Sequence, residues 1–152
     1  MKELQMSSRR FENRVVLISG GARGLGKAQA QRIVAEGGKV VIGDLLHAQG
    51  EALAGALGAS ARYLPMDVTR ERDWLAAIAL AEGLGALHGL VNNAGVYAPI
   101  PLLADDGIEQ FERHVRVNQT GVFLGMRTVV AAFERTGAGD RKSTRLNSSH
   151  RT

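Results

Sequence analysis

The sequence predicts an α/β domain with a doubly wound parallel sheet, of which this chain carries the N-terminal part only, about four strands. Two observations lead there. Short apolar, β-branched runs alternate with segments of helical composition, the pattern of successive βαβ units. The strongest of those runs also lack polar alternation, as expected of strands covered by helices on both faces. Right-handed crossovers then leave little topological freedom, and a complete sheet of this kind has about six strands.

The elements follow in order. Arg14–Ser19 is a short apolar run closed by Gly20 and Gly21, and reads as a buried strand. Gly26–Glu36 has helical composition and stops at Gly37 and Gly38. Lys39–Gly43 is the second strand, and His47–Leu57 reads as a helix weakened by Gly50 and Gly55. Arg62–Leu64 is a weak third strand ahead of Pro65. Arg70–Glu82 is a helix for which Thr69 is the expected N-cap, and Leu87–Val91 is the fourth strand. Asp105 or Asp106 then opens one long helical stretch to about residue 135. In it Ile108, Phe111, Val115, Val122, Met126, Val129 and Phe133 recur at helical steps, with Gly121 and Gly125 interrupting.

Composition narrows the function classes. The chain has 152 residues, 45% of them hydrophobic, and no cysteine, which excludes a disulfide scaffold, a thiolate metal site and a cysteine nucleophile. His47, His88, His114 and His150 are scattered without metal-ligand spacing, so no metal is expected. No transmembrane run or secretion signal is seen, and a cytoplasmic protein without a membrane partner is expected. The net charge of +4 is misleading. Arg141, Lys142, Arg145 and Arg151 stand against Asp140 alone after residue 139, so the body before them is near neutral and no nucleic-acid partner is expected.

The loop after the first strand carries the chemistry. A dinucleotide pyrophosphate needs a backbone that it can approach closely, and it needs the free N–H donors of a helix N-terminus. Gly20, Gly24 and Gly26 supply this at a G-x-x-x-G-x-G spacing, with Arg23 and Leu25 between them. Asp44 follows the second strand directly, where a carboxylate accepts hydrogen bonds from adenosine ribose hydroxyls and repels a 2′-phosphate. NAD is therefore favoured over NADP, with Arg23 either pairing with Asp44 or helping to position the cofactor.

With these residues the chain resembles the short-chain dehydrogenase/reductase family. Ser19–Gly26 is similar to its T-G-x-x-x-G-x-G loop, with Ser in place of Thr. Asp67–Val68 resembles its adenine-contacting pair, and Asn92-Asn93-Ala94-Gly95 matches its N-N-A-G element. Asn118 matches its active-site asparagine. The four elements stand in order across roughly residues 12–135. The finer runs Gly21–Gly26, Asp67–Thr69 with Asp73–Trp74, and Gly121–Met126 are similar to hydroxysteroid-oxidising members.

The resemblance implies a Rossmann-type fold and hydride transfer between the nicotinamide and a secondary alcohol or ketone. It also implies cofactor contacts at Gly20, Arg23, Gly24, Leu25, Gly26, Asp44, Asp67, Val68, Asn93, Ala94 and Gly95, a catalytic role for Asn118, and a homotetramer or homodimer for the complete protein. Each residue also has a plainer reading: Asp67 as a helix cap or turn former, Asn92 and Asn93 as turn residues or satisfiers of buried backbone. Asn118 is harder to dismiss, because Asn is a poor residue inside a helix. With Gly121 it suggests a local distortion able to hold a water. Phe111, Val122, Met126 and Val129 suit either an intersubunit face or burial against the sheet.

The family's Ser and its Tyr-x-x-x-Lys helix have no counterpart: Tyr63 is followed four residues later by Asp67, and Tyr97 by Pro101. Asp140–His150 resembles one translated frame of a common sequencing adapter rather than a further strand. The expected organisation is a disordered start over 1–12, a truncated dinucleotide-binding domain over 13–139, and a non-native or disordered tail over 140–152. Such a chain is an oxidoreductase fragment expected to lack turnover and to bind NAD weakly or not at all, since its fourth strand is left as an edge. The alternative is a non-catalytic dinucleotide-binding module, for which micromolar NAD binding is expected.

Overall fold

The computed structural model describes residues 9–97 and 106–137. The expected tail, 140–152, lies outside them, as do the first eight residues. Arg9–Asn13 make a turn that packs on the following helix, ahead of the expected domain start at 13. There the Arg10 guanidinium grips the Glu36 carboxylate at 2.6 Å, and the Phe11 amide donates to the Glu36 carbonyl at 3.2 Å.

Four strands form one sheet: β1 (Val15–Ser19), β2 (Lys39–Asp44), β3 (Ala61–Pro65) and β4 (Leu87–Asn92). Their order is β3-β2-β1-β4 and every pairing is parallel. Between them run α1 (Gly24–Ala35), α2 (His47–Leu57) with a 3₁₀ turn over Gly58–Ser60, and α3 (Glu71–Glu82). After β4 come α4 (Gly107–Val115) and α5 (Gly121–Thr136), joined by a π-helical turn over Arg116–Thr120.

Every residue of β1 is buried, because helices cover both faces. Side chains alternate along a strand, so β1 feeds two cores. Val15 and Leu17 pack with Trp74, Ile78 and Ala81 of α3 and with Val129 and Ala132 of α5. Val16 and Ile18 pack with Ala30 and Ile33 of α1 and with Leu53 of α2. Trp74 anchors the first core, fully buried, with its indole N–H donating to the Val68 carbonyl at 2.8 Å.

The structure amends several boundaries. Helix α1 starts at Gly24 rather than Gly26, since no side chain caps it and the glycine loop runs straight into its first turn. Thr69 is not the cap of α3: Arg70 holds that place, while the Thr69 hydroxyl donates to Asp67 Oδ1 at 2.7 Å. The long helical stretch runs unbroken from α4 into α5, but it widens to a π-helical turn over Arg116–Thr120, which carries Asn118. Gly121 and Gly125 mark close approach within it. A Cβ on Gly121 would meet Val68 Cγ2 at 2.8 Å, and one on Gly125 would meet the Trp74 ring at 2.6 Å. Phe111, Val122, Met126 and Val129 differ in burial. Val129 is buried in the sheet-facing core, whereas Phe111 and Met126 are exposed beside Phe123 and Val130.

Candidate functional site

Strand order places β1 between β2 and β4, so the chain crosses in opposite directions from β1 to its two neighbours. In open parallel sheets the crevice at the carboxyl ends of strands at such a switch point is where ligands bind. Here that crevice is a cleft of about 700 Å³, lined by the loops after all four strands and by the end of α4.

The glycine loop forms its floor. Gly20 has φ +66° and Gly24 has φ +53°, both in the left-handed region that side chains rarely adopt. The two glycines differ in surroundings. A Cβ on Gly20 would strike the Ala94 backbone at 2.7 Å, whereas one on Gly24 would meet nothing within 4 Å and would protrude into the cleft. Gly26 is packed even more tightly, against the Gly20 carbonyl, Asn93 Nδ2 and the Gly21 backbone. Since no side chain caps α1, its first-turn N–H groups remain available at the positive end of the helix dipole.

Asp44 is the hub of the adjoining wall. Its Oδ2 accepts the Ala22 amide at 2.9 Å and its Oδ1 accepts the Leu46 amide at 3.0 Å. One carboxylate therefore ties the glycine loop to the start of α2 while facing the cleft. It forms no ion pair with Arg23, which lines the cleft separately at the N-cap of α1.

On the other side of β1, Ser19 is 1% exposed and joins β1 to the end of β4. Its hydroxyl donates to the Val91 carbonyl at 3.4 Å and accepts the Asn93 and Ala94 amides at 3.2 Å each. Asn93 Nδ2 donates to the Gly20 carbonyl at 2.7 Å, so side chain and backbone lock the two loops together. Asn93, Ala94 and Gly95 all line the cleft.

Asp67 and Val68 line its far wall after β3. The Asp67 carboxylate accepts the Thr69 amide at 2.9 Å as well as the Thr69 hydroxyl, and lies 3.3 Å from the Arg70 guanidinium. Burial opposes its charge, but the Thr69 hydrogen bonds and Arg70 outweigh it and hold the carboxyl below the usual range. The turn role and the cleft-lining place thus coexist in one residue.

Asn118 sits in the π-helical turn, where its side chain escapes competition with the helix ladder. Its Oδ1 accepts the Val96 amide and its Nδ2 donates to the Val96 carbonyl, each at 2.8 Å. Both ends of the amide are thereby engaged in pinning the chain that leaves β4.

Of the expected contacts, Gly20, Arg23, Gly24, Asp44, Asp67, Val68, Asn93, Ala94 and Gly95 converge on the cleft. Leu25 and Gly26 do not line it: Leu25 is 67% exposed on the first turn of α1, and Gly26 faces inward. Asn118 is exposed and does not line the cleft, although its neighbours Arg116 and Val117 do. Arg113 and Arg116 escaped sequence reasoning. The signal was the three-residue step between Arg113 and Arg116, legible only once the end of α4 and the turn after it were known to border the cleft. The bracing role of Ser19 was also missed, since it needs the β1–β4 pairing. Among the described residues no cluster of His, Cys, Asp or Glu is suited to a metal, and no helix is long and apolar enough to cross a membrane.

The short chain dehydrogenase family model matches residues 14–140. Among curated proteins, the chain is 45% identical over 133 residues to a 3-alpha-(or 20-beta)-hydroxysteroid dehydrogenase of Mycobacterium tuberculosis, covering 87% of this chain and 51% of that protein. It is 36% identical to a 3-beta-hydroxysteroid dehydrogenase of Comamonas testosteroni, over 84% of this chain and 50% of that one. Among solved structures, a 3-ketoacyl-(acyl-carrier-protein) reductase from Brucella melitensis complexed with NADH superposes with a TM-score of 0.75 at 36% identity. That match covers 84% of this chain and 52% of the reductase. The chain spans about half the length of the curated relatives it matches. The matched family, the parallel α/β sheet and the glycine-loop cleft agree, and the chain belongs to the short chain dehydrogenase family.

Proposed function

We propose that this chain is the cofactor-binding part of an oxidoreductase that transfers a hydride between NAD and a secondary alcohol or ketone of hydroxysteroid type. Residues 13–139 would act as one dinucleotide-binding domain. The carrying observation is the convergence of an uncapped helix N-terminus, a glycine floor and the Asp44 carboxylate on a single cleft. The residues fit a dinucleotide: at Gly24 a Cβ would fill the space that a phosphate needs, and nothing else occupies it.

When bound, the nicotinamide accepts or gives the hydride; the protein positions it. In this reading the first turn of α1 receives the pyrophosphate, Asp44 accepts ribose hydroxyls, and Asp67 and Val68 flank the adenine. Ser19 and Asn93 keep the glycine loop seated against β4. Asn118 holds the 95–97 segment through Val96 and so shapes the nicotinamide side. The proton donor of the family, a tyrosine with a lysine four residues on, has no counterpart in this sequence, so the chain by itself binds cofactor without turnover.

NAD is preferred because the Asp44 carboxylate opposes a 2′-phosphate. Arg23, Arg113 and Arg116 line the same cleft and are the observation favouring NADP instead. Isothermal titration of the chain with both cofactors decides. Micromolar NAD binding with much weaker NADP binding is expected, and Asp44→Ala should narrow the difference. A folded chain that binds neither would refute the cofactor reading, and NADH formation from a hydroxysteroid would refute the lack of turnover. For the complete protein we propose a cytoplasmic homotetramer or homodimer, with the exposed Phe111, Phe123, Met126 and Val130 contributing to the contact.

A further inference from the structure

Asp44 accepts hydrogen bonds not only at its carboxylate. Its backbone carbonyl accepts the Met66 amide at 3.1 Å and the Tyr63 hydroxyl at 3.0 Å. This is the end of the β2–β3 ladder, where Asp44 stands opposite Pro65, a residue without an N–H to contribute. Among the described residues β3 is also the outermost strand on its side of the sheet, so β2 pairs there with β3 alone.

The Tyr63 ring is held in place for this bond. It lies directly beneath Gly50 of α2, where any Cβ would collide with the ring carbons. His47 meets it edge-on, with centroids 6.1 Å apart and planes at 78°. The glycine that weakens the sequence signal for α2 is thus the one that admits the tyrosine. Burial first, and then the negative charges of Asp44 and Glu51, push the phenol above its ordinary value, so the hydroxyl remains a donor throughout the physiological range. Tyr63 does not line the cleft.

We propose that Tyr63 is a positioning residue for the adenosine end of the cofactor, acting through its hydroxyl bond to the Asp44 carbonyl. The bond fixes the last residue of β2. The carboxylate of that residue must face the ribose while also holding the Ala22 amide of the glycine loop and the Leu46 amide of α2. One phenol therefore orients both the ribose acceptor and part of the pyrophosphate floor. The inference rests on the cofactor reading of the cleft.

The test compares ADP with 2′-deoxy-ADP, measured by isothermal titration on the wild-type chain and on Tyr63→Phe. Wild type should prefer ADP, because Asp44 accepts from the 2′-hydroxyl. Tyr63→Phe keeps the ring and its packing, and should shrink that preference about fivefold, the scale of one hydrogen bond. The unfolding midpoint should move little. Adding Tyr63→Phe to Asp44→Ala should change the preference no further. Without ligand, Tyr63→Phe should also speed amide exchange at Ala22 and Leu46 while β1 amides stay protected. An unchanged ADP preference, or unchanged exchange at both amides, would overturn the proposal alone. No ADP binding to the folded wild-type chain would overturn the cofactor reading and this proposal with it.

Discussion

Gly26→Ala is the sharpest test of how the glycine loop is built. Gly26 lacks the left-handed φ of its neighbours, so alanine fits its backbone, and in a free helix the change would be favourable by about 1 kcal/mol. The surroundings reverse that sign. The new methyl would lie 2.7 Å from Asn93 Nδ2 and 2.9 Å from Gly21 Cα, and closer still to the Gly20 carbonyl oxygen. Asn93 Nδ2 and the Gly20 oxygen are hydrogen-bonded partners at 2.7 Å, so the methyl enters the bond that joins the β1 and β4 loops. Overpacking costs about 1–3 kcal/mol and loss of the bond about 1 kcal/mol. Less the gain in helix propensity, the net destabilisation is about 1–3 kcal/mol. Urea unfolding followed by the fluorescence of Trp74, the single tryptophan, measures it directly. A midpoint equal to or above wild type would refute the reasoning. Gly24→Ala is the control: its φ of +53° predicts a strain of about 1–2 kcal/mol, and its methyl points into open cleft. It should therefore lose NAD affinity out of proportion to stability.

Three further outcomes are expected. Glu36, with a side chain only 4% exposed, is held near a pKa of about 2, chiefly by the Arg10 hydrogen bonds, against burial and with help from Arg32. Its folded value lies below its unfolded one, so its contribution to stability is complete above pH about 4.5 and is lost as pH falls toward about 2. Glu36→Gln should abolish that part of the acid dependence, as read from unfolding curves across this window. Gly125→Ala places a methyl 2.6–2.8 Å from the Trp74 ring and Asn92 Oδ1, and should cost about 1–3 kcal/mol while shifting Trp74 emission before unfolding. Asn118→Ala removes both bonds to Val96 at an exposed position. It should cost under about 1.5 kcal/mol yet markedly accelerate Val96 amide exchange, as hydrogen-exchange NMR would show.

The alternation of apolar runs and helices, the parallel sheet and the glycine loop with Asp44 were all legible in the chain, because each depends on spacing along it. Asn118 was legible for a related reason: an amide inside an apolar helical pattern conflicts with that pattern, and the structure resolves the conflict with a π-helical turn. Boundaries were less legible. Thr69 has the composition of a cap, but Asp67 stands closer and takes its hydroxyl.

The sequence by itself determined which segments become strands and helices and which loop carries the glycines' backbone freedom, since backbone freedom and hydrophobic period are local properties. Only the tertiary structure decided what each glycine is for. Gly50 makes room for Tyr63, Gly125 for Trp74 and Gly26 for the Gly20–Asn93 bond, while Gly24 alone leaves its space to the cleft. It likewise decided that Ser19 and Tyr63 are braces and that Arg113 and Arg116 reach the site. These roles belong to pairs of residues far apart in the chain, and a contact between distant residues exists only once the sheet has set its strand order and register.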